Sequence, residues 1–130
     1  MTTHVLRVAR PTNDIARAAR FYIDGLGFHV LAEFNDHAGF DGIVLGHPNF
    51  PWHIELTHQH NTTVATAPTK EHLLIIYLPE RMEWELAVQR LRASGVEPVA
   101  ADNPYWDKMG ATFEDPDGYR VVLQNMAWTR

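Results

Sequence analysis

The chain has 130 residues, enough to bury roughly two-thirds of the surface its unfolded form would expose. Hydrophobic residues make up 45% and charged residues 21%, a globular balance far from the composition of disorder. A formal net charge of -5 disfavours non-specific nucleic-acid binding, and the lack of cysteine excludes disulfides, thiolate catalysis and Cys-ligated zinc together.

No apolar run approaches membrane-spanning length. The opening residues, MTTHVLRVARPTND, reach polar side chains and Pro11 before an export signal could form, so the expectation is a cytoplasmic protein with no membrane partner. Residues 4–9 (HVLRVA) read as a strand with Leu6 and Val8 on one face and Arg7 on the other. Thr12 or Asn13 then caps a helix with Asp14 in its first turn and Ile15, Ala19 and Tyr22 at helical spacing, ended by Gly25 and Gly27. Strands are expected at 28–34, 42–45 and 53–58, separated by turn-rich segments.

QHNTTVATAPTK has no sustained hydrophobic period and reads as a connection between halves. HLLIIYL has the length and β-branched content of a strand. PERMEWELAVQRLRASG is a helix with Pro79 near its start, glutamates early, Arg90 and Arg92 late, and Trp84, Ala87, Val88 and Leu91 as its core stripe. Strands follow at 96–100, 111–114 and 119–124, the last two joined by DPDG, a turn sequence. Each half thus reads strand, helix, strand, strand, strand. A βαβββ unit covers one sheet face with its helix and must bury or use the other. The expected fold is α+β: two βαβββ modules, 4–60 and 70–126, within a single domain of residues 1–130, pairing into a curled mixed sheet around a central cleft.

NDIARAARFYIDGLGF and FEDPDGYRVVL, with the doubled module, resemble the vicinal oxygen chelate superfamily of glyoxalase I, extradiol dioxygenases, fosfomycin resistance proteins and bleomycin-binding proteins. The resemblance runs from about residue 4 to residue 126. It implies a homodimer, and metal ligands from the first and fourth strands of each half. Those positions fall on Arg7, Glu55, His72 and Val122, so only two carry ligand side chains. His53 and Gln124 share the faces of Glu55 and Val122 and could enter such a site, whereas His4 could do so only by a shift that swaps strand faces.

A catalytic zinc-like centre needs about three protein ligands and an open position. Arg7 argues further against it, because a guanidinium beside a dication is repelled; a buried Arg7 and Glu55 would satisfy one another instead. The favoured expectation is a small-molecule-binding protein or enzyme with no metal and no other cofactor, taking an anionic or carbonyl-bearing ligand. Arg7 would hold that group, Glu55 would orient it or act as a base, Tyr105 and Trp106 in NPYWDKMG would enclose it, and His53, His72 and Gln124 would add polar contacts. The alternatives are a lyase, isomerase or dioxygenase using Zn, Ni, Fe or Mn on Glu55 and His72, and an antibiotic-sequestering protein. Each residue also has a purely structural role open to it: Arg7 and Glu55 as an ion pair, His72 as a satisfied histidine, and Tyr105 and Trp106 as a loop anchor. His58 and His60 are expected in solvent at the strand's end.

Overall fold

In the computed structural model, which describes residues 3–129, the chain divides between Ala65 and Thr66 into two units. The first contains β1 (Leu6–Pro11), α1 (Ile15–Arg20), a π-helical turn (Phe21–Gly25), β2 (His29–His37), β3 (Phe40–Gly46) and β4 (Trp52–Gln59). Its sheet has the order β1-β4-β3-β2, with β1 parallel to β4 and the other pairs antiparallel. The second contains β5 (Leu73–Tyr77), α2 (Arg81–Ala93), α3 (Tyr105–Lys108), β6 (Gly110–Glu114) and β7 (Arg120–Gln124), with sheet order β5-β7-β6 and β5 parallel to β7. The architecture is therefore α+β with two mixed sheets built from βαβββ-type modules.

Local chemistry sets these boundaries. Asp14, expected inside the first helical turn, is the cap itself: its Oδ1 accepts the Arg17 N–H at 3.0 Å, and its own N–H donates to Thr12 Oγ1 at 3.2 Å. Asn13, freed from capping, exchanges two 2.8 Å bonds with the Val64 backbone and pins the end of the first unit to the start of its helix. Ala18, Ala19, Phe21, Tyr22 and Phe28 are buried together with Ile43, Leu45, Ile54 and Leu56 from the sheet. Strand alternation therefore sends Ile54 and Leu56 inward and puts His53 and Glu55 on the opposite face.

The second unit departs from expectation at 96–100. In place of a strand there is a single bridge between Val99 and Thr112, because Pro98 has no N–H to offer a ladder. The α2 stripe ends on fully buried Leu91, but Trp84 is half-buried rather than interior. Its indole N–H needs a partner and donates to the Leu123 carbonyl at 2.8 Å. The DPDG turn forms as read: Asp115 Oδ1 accepts the N–H groups of Asp117 and Tyr119, both at 2.9 Å, and Gly118 takes a φ of 87°. No helix among the described residues is long and apolar enough to cross a membrane.

Candidate functional site

In the parallel pair of β1 and β4, Arg7 lies opposite His53 and Ala9 opposite Glu55. Partners in register share a face, as do residues two apart, so Arg7, His53 and Glu55 form one patch. The Arg7 Nε–H donates to His53 Nε2 at 2.9 Å, and Nη1 donates to Glu55 Oε2 at 3.4 Å. In this arrangement a neutral His53 carries its proton on Nδ1. The expected buried ion pair needs correction: the Arg7 side chain is 49% exposed and that of Glu55 15%. A guanidinium so placed adds little to stability and keeps donors in reserve.

His72 does not share that arrangement. It precedes β5, is exposed, and sets its ring edge-on to Tyr119 at 6.4 Å. In the β5–β7 register, Leu73 faces Arg120 and Ile75 faces Val122. Glu55 is opposite Ala9, and Arg7 lies two residues before it; Val122 is opposite Ile75, and Leu73 lies two residues before it. The true counterpart of Arg7 is thus Leu73, and His72 has the other parity. Among the described residues no group of three or more His, Asp or Glu side chains could hold a metal ion. The residues at the positions where the resemblance implies metal ligands do not fit that role: in the first unit His53 and Glu55 are both engaged by Arg7, and in the second Leu73 and Val122 are apolar.

The remaining expected residues belong to the second unit. Tyr105 and Trp106 sit on the short helix α3 rather than in a loop, edge-to-face at 4.9 Å, with Tyr105 exposed and Trp106 half-buried. Gln124 is buried; its Nε2 donates to Met126 Sδ at 3.1 Å, and its Oε1 has no partner among the described residues. A Cβ on Gly110 would collide with both that Oε1 and the Trp106 carbonyl, so glycine is required where α3 meets β6. Thr112 and Arg120 escaped the sequence reading, although alternation from Val122 would have placed both on its face.

His58 and His60 are not left in solvent. His58 Nδ1 is 2.9 Å from the Thr12 carbonyl, and His60 Nε2 is 2.8 Å from Asp41 Oδ1, with Asp36 Oδ1 3.6 Å from His60 Nδ1. That hydrogen bond raises the His60 pKa above its ordinary value. The Asp41 pKa is lowered, chiefly by the Asp36 N–H and then by His60.

Profiles of the YycE-like N-terminal and C-terminal domains match residues 6–57 and 71–125. The uncharacterized protein YycE of Bacillus subtilis (strain 168) is 38% identical over 120 residues, covering 92% of this chain and 86% of the relative. The chain belongs to the YycE-like family. A 2.0 Å crystal structure of a Bacillus subtilis YycE protein of unknown function superimposes with a TM-score of 0.88 at 35% identity, over 98% of this chain and 93% of that one. Leishmania major glyoxalase I superimposes with a TM-score of 0.72 at 22% identity, over 96% of this chain and 88% of that one, a likeness of fold alone. Membership in the YycE-like family agrees with the observed division, since one profile falls in each unit. The glyoxalase/bleomycin resistance/dioxygenase fold inferred from FEDPDGYRVVL and its companion motif is the fold of this chain.

Proposed function

We propose that this YycE-like protein binds a small anionic or carbonyl-bearing molecule on the face carrying Arg7, His53 and Glu55, without a metal. The observation that carries the reading is the unequal grip on Arg7: a short bond to His53 fixes the guanidinium, while the 3.4 Å contact to Glu55 is long enough to yield to a better acceptor. An incoming carboxylate or carbonyl oxygen takes the Nη donors, and the released Glu55 carboxylate is positioned to orient the ligand or to accept a proton from it. The assembly we propose is a homodimer, as the family resemblance implies.

The test uses protein purified without chelator. Elemental analysis should find no stoichiometric divalent metal. Binding of a panel of small carboxylates and 2-oxo acids, followed by calorimetry, should be unchanged by excess chelator and lost in Arg7→Met. Stoichiometric metal that disappears in Glu55→Ala would overturn the proposal in favour of Lewis-acid chemistry.

A further inference from the structure

We propose that the second unit carries a binding site for a small zwitterionic carboxylate with the chemistry of a short α-amino acid. The site is a cavity of about 210 Å³ between the start of β5, α3 and the adjoining strands β6 and β7. At about 30 Å³ per water it has room for roughly seven non-hydrogen atoms, well short of a drug-sized ligand.

Its floor is made of Thr112 and Arg120, which are 1% and 4% exposed. Thr112 Oγ1 is buried and has no hydrogen-bond partner among the described residues, a cost to the fold that a valine of the same shape would avoid. The Arg120 guanidinium is held through Nε by Glu114 Oε2 at 3.1 Å and through Nη1 by the Ala100 carbonyl at 3.2 Å. Glu114, whose side chain is 38% exposed, is the carboxylate paired with this buried guanidinium, which carries five N–H donors in all. An orphaned hydroxyl beside a guanidinium whose paired carboxylate is partly exposed to solvent is chemistry that can receive a carboxylate.

The rim selects what is attached to that carboxylate. Glu71 and Asp102 are exposed carboxylates at the opening, favourable to an ammonium group and repulsive to a second acid, while Lys70 strengthens the pull on the first. Leu73 and Trp106 wall the cavity with apolar surface and limit the side chain to one or two heavy atoms.

Ligand-observed NMR on the full chain with L-alanine, L-serine, lactate and succinate tests the site. The two amino acids should bind, lactate more weakly and succinate least. Thr112→Val should weaken L-alanine about fivefold to tenfold, the worth of one hydrogen bond, without lowering the melting temperature. Thr112→Ser, which keeps the hydroxyl, should retain binding. Failure of both amino acids to bind at millimolar concentration would leave the hydroxyl to a bridging water and overturn the assignment. So would a Thr112→Val protein that binds L-alanine like the parent, or a preference for succinate.

Discussion

Arg7 is fixed by one neutral acceptor and one carboxylate, and the two bonds imply different things. The short contact to His53 gives it direction; the long contact to Glu55 gives it little free energy, because the Arg7 end of the pair is half-exposed and an ion pair open to solvent is worth at most about 1 kcal/mol. Arg7→Met, which keeps the aliphatic stem, should therefore lower unfolding stability by less than about 1 kcal/mol in a denaturant titration. A loss of about 3 kcal/mol or more would show that the guanidinium is a structural counter-charge, and that the ligand role assigned to it is wrong. The pairing of Arg7 with Glu55 was legible because the family resemblance put both at site positions, on strands whose alternation keeps each on one face. His72 was misplaced for an equally physical reason. In HLLIIYL every residue is compatible with a strand, so composition does not say where pairing starts, and a shift of one residue exchanges the faces. His60 was misread because its partner Asp41 lies on the neighbouring strand, a contact that only the register reveals.

At the level of elements, the β2–β3 hairpin is closed by side chains as much as by its ladder. Asp36 and Ala38 adopt φ of 51° and 54°, and Gly39 a φ of 86°, so the turn holds two residues in a region that side chains seldom occupy. Asp41 compensates by accepting the Asp36 N–H at 2.8 Å and meeting His60 at 2.8 Å, while the His60 N–H donates to the Gly39 carbonyl at 2.8 Å. The groups that set the local titration are Asp36, Asp41, His58 and His60. The His60 pKa is raised above 6.5, so its contribution is whole below that value and is lost as pH rises through the higher folded-state value. The Asp41 pKa is lowered below 3.8, so its contribution is whole above that value and is lost as pH falls through the lower folded-state one. The clamp should be intact between 3.8 and 6.5. Protection of the Asp36 amide against hydrogen exchange, corrected for intrinsic rates, should peak in that window and decline on both sides. In His60→Gln the alkaline decline should vanish; a decline that persists would place the titrating group elsewhere.

For the whole molecule, the doubled strand–helix–strand order was legible because helix punctuation is local: the polar stretch 12–14 and Gly27 bracket the first helix, even though the cap proved to be Asp14 rather than Thr12 or Asn13, and Pro79 and Gly95 bracket the second. The second strand of the second unit was not, since Val99 pairs only once and its fate depends on a partner strand. Assembly is the remaining property at this scale. Val5 and Leu6 are each 63% exposed at the start of β1, an edge strand of the first sheet, and Val30 and Leu31 lie exposed on β2, the other edge. Open edges bearing aliphatic side chains invite pairing with another chain, and soluble monomers usually blunt them with charge or proline. The homodimer proposed for this protein would cover such surface, and light scattering at micromolar concentration should then give twice the chain mass. Leu6→Asp, which places a carboxylate on the β1 edge far from the buried core, should shift the equilibrium toward monomer while leaving the circular dichroism spectrum unchanged. A monomeric mass for the parent protein that does not rise with concentration would refute the dimer, and the aliphatic edges would then have to be protected by their twist and short length alone.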